Sequence, residues 1–337
     1  MAATTLPAEL RPRRLALRAA RVALLIAVLV LVAVLAPGLE GVREELSGAS
    51  PWWLAAAVAL EALSCVSYVL MFRPVFCRAM SWRTSAEIGG AELGMGSVVP
   101  ASGIGGLALG AWILHRRGMD SGRIARRSVA FFLIKSSVNF VAVAVTGLLL
   151  ATSLVGPDLS LALTLLPAVM SIGLIAVVAS LPRLGDGTGS GRVARARRAV
   201  LGGVREARAI FRSPDPLIVV GAVGYWAFDN AVLWATFEAL GDAPSIWIIL
   251  LGYLIGQLGG LLPIPGGVGG IDGGLIGTLI VFGAPAEITA AAVLAYRLIL
   301  FWLPLLVGAL ALVALRRSVA DPQRRDLHAC TPIPVGA

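Results

Sequence analysis

The stretch Leu261 to Gly277, LLPIPGGVGGIDGGLIG, lies inside an apolar run yet cannot form an ordinary membrane-spanning helix. Pro263, Pro265, Gly266, Gly267, Gly269 and Gly270 fall within eight residues. Proline withholds a backbone donor and clashes with the preceding turn, and glycine resists helical ordering. Backbone opened in lipid leaves unpaired N–H and C=O groups, each costing about several kcal/mol. Such a break is stable only where it is buried in protein or lines a wet cavity. An acid, Asp272, follows it directly. The stretch reads as a broken or re-entrant helix at a binding site.

A second segment repeats the pattern. Val98 to Trp112 reads VVPASGIGGLALGAW. Aligned on the proline, Gly103 falls opposite Gly266, and Gly105 and Gly106 fall near Gly269 and Gly270. Gly/Pro-interrupted segments in corresponding positions of two halves point to a transporter site. Chance similarity is the alternative, because the chain holds 39 glycines.

The surroundings of both segments are those of a membrane protein. Of 337 residues, 58% are hydrophobic and 14% charged, and the mean hydropathy is +0.88. This composition predicts an all-α polytopic membrane protein. A net charge of +9 does not imply nucleic acid, because there is no soluble domain to carry a basic surface. Cys65, Cys77 and Cys330 show neither metal-ligand spacing nor a disulfide framework, and His115 and His328 lie in polar segments. No metal and no cofactor are expected. Lys135 is the only lysine among 28 basic residues, an arginine bias that suggests a high-GC bacterium.

Hydropathy predicts six full spans, near 20–36, 52–72, 128–150, 160–181, 216–240 and 288–315. Two broken apolar stretches, 88–114 and 246–282, lie between them. Residues 1–19 form a polar N-terminal segment, 37–51 and 73–87 read as loops, and 316–337 as a tail. The loop 182–215 holds eight arginines, and its part from Arg192 to Arg212 reads as an amphipathic helix on the membrane surface. Placing both termini, 73–87, 115–127 and 182–215 in the cytoplasm, with Arg21 at the inner end of the first span, puts 25 of the 28 basic residues inside. Arg43 alone lies outside, and Lys135 and Arg297 fall within the membrane. Segment 88–114 then has cytoplasm at both ends and must dip in and return. Segment 246–282 has the outside at both ends and either dips in or crosses twice. The halves, about 20–150 and 160–315, form an inverted-topology repeat with two facing hairpins inside one membrane domain, 20–315.

Charge within a membrane costs about 2.5–3.5 kcal/mol on insertion scales, so each intramembrane charge is a functional candidate. These are Glu61, Glu92, Lys135, Asp229, Asp272 and Arg297, with Asn139, Asn230 and Gln257 as neutral company. Lys135 and Asn139 share a helix face. Asp272 is expected near Arg297 and Asp229 near Lys135; Glu92, Lys135 and Asp229 are candidates for coupling or ion pairing. The bland alternative is internal ion pairing that fixes helix packing. A guanidinium beside glycine-rich backbone N–H groups suits a phosphate. Arg116 and Arg117, just past the first hairpin, either receive an anionic head group at the cytoplasmic face or merely set topology. There is no nucleophile with a credible base, no carboxylate pair at metal spacing and no Walker A lysine, so catalysis is not expected.

PIPGGVGGIDGGLIG, followed by AYRLILFWLPLLVG from Ala295 to Gly308, resembles the lysylphosphatidylglycerol synthase transmembrane-domain family, also called flippase-like or UPF0104. Pro263, Pro265, Gly266, Gly267 and Gly269 match its Pro-x-Pro-Gly-Gly-x-Gly pattern. Asp272 stands where the family more often has Glu, and Tyr296, Arg297 and Pro304 match the later part. Gly103, Gly105, Gly106, Arg116 and Arg117 resemble the family's earlier element. The resemblance implies an integral membrane domain that flips anionic, aminoacylated or polyprenyl lipids. No aminoacyl-transfer domain follows here, so no lysyl transfer is expected.

The leading expectation is a lipid flippase of the cytoplasmic membrane, with Arg297 on phosphate and Asp272 positioning it or taking a proton. The alternative is a non-transporting partner of a lipid-modifying enzyme, docked through 182–215. A polyprenyl-carrier glycosyltransferase is the third reading, but it would show an acidic metal motif that is not visible.

Overall fold

A computed structural model of the chain describes residues 40–98, 104–153, 155–157, 159–185, 191–257, 270–319 and 330, with Leu17, Ala20, Ala23, Leu24 and Ala27. Among them are eleven α-helices longer than one turn. We number these α1 (Glu40–Gly48), α2 (Pro51–Phe76), α3 (Trp82–Val98), α4 (Ile104–Arg116), α5 (Ser121–Ala151), α6 (Leu161–Ser180), α7 (Arg192–Arg212), α8 (Pro216–Ala239), α9 (Ile246–Gln257), α10 (Gly270–Val281) and α11 (Ala286–Val319). No strand occurs among the described residues. Five stretches, Pro51–Phe76, Ser121–Ala151, Leu161–Arg183, Pro216–Ala239 and Ala286–Leu315, are long and apolar enough to cross a membrane. The chain is an all-α, multi-pass membrane protein, and five of the six expected spans lie on these helices. The sixth, 20–36, falls mostly outside the described residues, although its Ala23 packs against Phe301 of α11.

The helix ends explain several shifts from the expected boundaries. The Asp120 carboxylate accepts from the Arg123 N–H at 2.8 Å and starts α5 seven residues before the apolar run expected at 128. Asp215 caps α8 through the Leu217 N–H, with Pro216 at the first helical position. Arg78 donates to the same Asp215 carboxylate, its Nε at 2.9 Å. Part of the expected loop 37–51 is instead helix α1, which seats Val42 beside Ala291 of α11. Two apolar residues, Val42 and Leu46, on a short polar helix leave no readable hydropathy signal.

Of the two broken stretches, 88–114 corresponds to α3 and α4, and 246–282 to α9 and α10. At 1.5 Å per residue the 12-residue α9 and α10 each reach only about 18 Å, short of a hydrocarbon core of about 30 Å. They run antiparallel in close contact. A Cβ added at Gly252 would meet the Leu279 side chain, and one at Gly256 would lie 2.7 Å from Leu275 Cα. Of the breaks expected at 100–106 and 263–270, Gly103, Pro263, Pro265, Gly266, Gly267 and Gly269 lie outside the described residues, whereas Gly105 and Gly106 already belong to α4 and Gly270 to α10.

Helix pairing rests on small residues, as in other lipid-embedded bundles. The most extensive contact joins α2 and α8, which run antiparallel. Ser50 N–H donates to the Ala239 carbonyl at 2.7 Å, and Ser64 Oγ to the Tyr225 carbonyl at 3.3 Å. Next comes α3 with α11 among the contacts between sequence-distant helices, where Gly94 and Gly308 meet backbone to backbone. In addition, α5 packs on α6, α7 and α9, while α11 packs on α1, α8 and α10. Two apolar cores result. One gathers Phe72, Phe76, Phe131 and Ile218, and the other Ala57, Val232, Phe237 and Leu279. They occupy opposite ends of the α2–α8 pair and leave its middle to polar residues.

The cysteine expectation needs correction. Cys77, at the end of α2, and Cys330 form a disulfide, with Cα atoms 5.8 Å apart. A separation of 253 residues leaves no spacing signature from which to read the pair.

Candidate functional site

The interior holds two adjoining cavities of about 330 and 270 Å³. Lys135, Tyr225, Asp229, Arg297 and Leu300 border both and form the layer between them. Glu61 and Ser64 of α2 and Tyr225 and Asp229 of α8 come from the middles of their helices. The layer therefore sits between the two apolar cores. Lipid-depth burial is unfavourable for such groups unless they pair or face a cavity, and here they do both.

Arg297 and Asp272 form the strongest pair. Arg297 Nε donates to Asp272 Oδ1 at 2.6 Å, and Nη2 donates to the same oxygen. The planar guanidinium places both nitrogens on one carboxylate. Asp272 stands in the first turn of α10, where the helix dipole favours a negative charge. The pair fastens α10 to α11, as expected from the sequence.

Asp229 takes different partners from those expected. Tyr253 of α9 and Tyr296 of α11 both donate to it, the latter at 3.0 Å. Lys135 Nζ lies over two rings, 5.4 Å from the Tyr225 centroid and 5.9 Å from that of Tyr68. Glu92 accepts from Tyr68 Oη at 2.7 Å, and Glu92 is 2% exposed. Its second oxygen has no hydrogen-bond partner and occupies the space where a Cβ of Gly110 would stand. Glu61 is 5% exposed; one oxygen accepts from the Cys65 thiol, and the other has no hydrogen-bond partner among the described residues. Lys135 and Asn139 share the wall of the smaller cavity, as their spacing predicts.

Two of the expected residues stand elsewhere. Arg117 is 4% exposed and donates to Thr84 Oγ1 at 3.0 Å and Glu87 Oε2 at 3.3 Å. It holds the end of α4 to α3 and offers no cation to a head group at the surface. Arg116 lies over the Trp112 ring and is exposed. Gly106, in α4, packs against the Glu92 carbonyl, and Gly105 precedes it in the same helix.

Sequence reasoning singled out Tyr296 and missed the other three tyrosines. The chain has four, and all of them, Tyr68, Tyr225, Tyr253 and Tyr296, border these cavities. The signal was present: tyrosine in membrane proteins concentrates in the interfacial belts, and these lie within helices instead. A buried phenol needs a hydrogen-bond partner, so each midspan tyrosine points to a polar neighbour.

Comparison with known proteins agrees with this architecture. The chain matches the family described as lysylphosphatidylglycerol synthase TM region over residues 19–308. A UPF0104 membrane protein of Methanothermobacter thermautotrophicus is 34% identical over 93 residues, covering 27% of this chain and 26% of the relative. Another from that organism is 30% identical over 86 residues, covering 25% of this chain and 26% of the relative. One from Methanocaldococcus jannaschii is 33% identical over 95 residues, covering 28% of each chain. The aligned part thus spans about a quarter of the length of these relatives. With the family match extending over most of the sequence, the chain belongs to the lysylphosphatidylglycerol synthase transmembrane-region family.

Proposed function

We propose that this chain is a lipid transporter of the cytoplasmic membrane that moves an anionic phospholipid, an aminoacyl-phospholipid or a polyprenyl phosphate between leaflets. The observation that carries this reading is the Arg297–Asp272 pair beside an interior cavity, where α10 meets α11. A phosphate fits the guanidinium fork as well as a carboxylate does. Head-group binding exchanges one anion for another at Arg297 and releases Asp272. The glycine- and proline-rich segments 99–103 and 258–269 are proposed to line the head-group path. In this reading α3–α4 and α9–α10 are the two re-entrant hairpins of an inverted repeat, with both termini cytoplasmic. The pairing of α3 with α11, and of α9 with α5, supports it, because each hairpin meets the last helix of the other half.

Fluorescent-lipid flipping in proteoliposomes tests the proposal. Wild type should move the lipid, and Arg297→Ala and Asp272→Asn should each reduce the rate by tenfold or more (on the order of 1.4 kcal/mol or greater). Well-folded wild type that moves none of the three lipid classes sinks it. A second reading, a partner subunit for a lipid-modifying enzyme, draws on α7, whose Arg195, Arg205 and Arg212 are exposed. Under this non-transporting reading, replacing those arginines should abolish co-purification of the enzyme, and wild type itself should move no lipid.

A further inference from the structure

Charge in the central cavities does not balance. Four carboxyl groups, Glu61, Glu92, Asp229 and Asp272, share the interior with two cations, Lys135 and Arg297. The segments 99–103 and 258–269 contain no Asp, Glu, Lys or Arg that would correct the sum. With every group ionised, the interior would hold two uncompensated negative charges. Uncompensated buried charge is strongly unfavourable, so cations must make up the deficit. Among the described residues no set of acids is arranged to chelate a metal. A proton on a carboxyl group meets the deficit without any such arrangement.

The hydrogen bonds identify where it sits. Asp229 accepts from two phenols, Glu92 accepts from one and shares its cavity with Lys135, and Asp272 accepts from a guanidinium. These donors suit ionised acceptors. Glu61 has only the Cys65 thiol on one oxygen and nothing on the other. The titratable groups bordering its cavity are Tyr68 on its own helix, Tyr225 and Asp229 of α8, Glu92 of α3, Lys135 of α5 and Arg297 of α11. None of them hydrogen-bonds to the open Glu61 oxygen.

We propose that Glu61 is a proton-coupling site, and that an anionic lipid head group enters these cavities together with a proton, so that the protein is a proton–lipid symporter. This inference rests on the lipid-transport reading and extends it. A phosphate that takes Arg297 from Asp272 adds one negative charge to an interior already in deficit. A proton carried in with it on Glu61 cancels the added charge, so the deficit does not grow. On the far side the lipid and the proton leave together, and no bond other than an O–H bond forms or breaks.

The test uses wild-type proteoliposomes containing a fluorescent anionic phospholipid, with the membrane potential clamped by potassium and valinomycin. A pH gradient of one unit should drive lipid in the direction of proton flow. For one proton per lipid it should sustain on the order of a tenfold asymmetry between leaflets. In Glu61→Gln that asymmetry should collapse to one, whatever the absolute rate. Lipid that equilibrates in wild type without responding to the gradient overturns the coupling and leaves lipid transport standing. A response to a sodium gradient instead, or lipid movement against the proton flow, also overturns it. No lipid movement at all overturns both readings. Infrared difference spectra of purified protein check the assignment independently. A protonated-carboxyl band should lose intensity in folded Glu61→Gln, and a band unchanged by the substitution refutes Glu61 as the carrier.

Discussion

Replacing Gly94 by alanine should weaken the contact between α3 and α11. A Cβ at position 94 would stand 2.6 Å from Gly308 Cα and 3.0 Å from the Pro304 carbonyl oxygen. Carbon atoms in ordinary contact sit about 3.5–4.0 Å apart, so the two helices would have to separate locally by about 1 Å. Both obstacles are backbone, so no side chain can swing away. Overpacking of this kind costs about 1–3 kcal/mol. The matching control is Gly173→Ala on α6, where a Cβ meets nothing within 4 Å. Both substitutions remove the helix penalty of glycine, about 1 kcal/mol, so the difference between them isolates the contact. At about 2–4 °C per kcal/mol, the two variants should melt roughly 2–12 °C apart, Gly94→Ala lower. Tryptophan fluorescence in detergent follows the transition, since the chain carries eight tryptophans. If Gly94→Ala melts together with Gly173→Ala, close backbone contact does not hold α3 to α11.

Arg117→Ala should destabilise the protein by about 1–3 kcal/mol, because it removes one of the two arginines on the buried Glu87 carboxylate and leaves only Arg83, whereas Arg116→Ala should leave the melting transition unchanged; equal melting of the two variants refutes the distinction. Tyr296→Phe and Tyr253→Phe each remove one donor to Asp229, at about 1–3 kcal/mol apiece, and the double variant should depart from additivity because both act on one carboxylate. Simple additivity in a denaturation series argues that the two phenols act separately. Arg297→Lys retains the charge but not the fork that reaches Asp272 with two nitrogens, so flipping should fall toward the Arg297→Ala level. Full activity in the lysine variant shows that charge alone suffices.

The spans and the Asp272–Arg297 pair were legible in the sequence because each leaves a local mark. A span is a long apolar run, and Asp272 and Arg297 are single charges within apolar sequence on adjacent elements. Partners between distant elements leave no such mark. Tyr68 meets Glu92 across the α2–α3 turn, and Tyr296 meets Asp229 across 67 residues. Sequence position did not show which of Glu92, Lys135 and Asp229 would pair, because tyrosines intercept both acids. Arg117 looked like its neighbour Arg116, yet helix α4 turns Arg117 onto Glu87 and leaves Arg116 exposed. Successive helix positions point about 100° apart, so adjacent charges can meet opposite environments.

One helix, α11, touches both hairpins. Arg297 binds α10, and Gly308, eleven residues further on and about 16 Å along the axis, rests on α3. The first attachment is a charged latch that a competing anion can release. The second is a close backbone contact, flanked by Val307 and Ala311 packed on Gly90. A long helix fixed at both points can act as a lever. When the latch opens, a movement of α11 at α10 is passed along the same helix to α3. Distances between spin labels on α4 and α10 should then change together when anionic lipid is added, and a shift in one hairpin alone would exclude the lever.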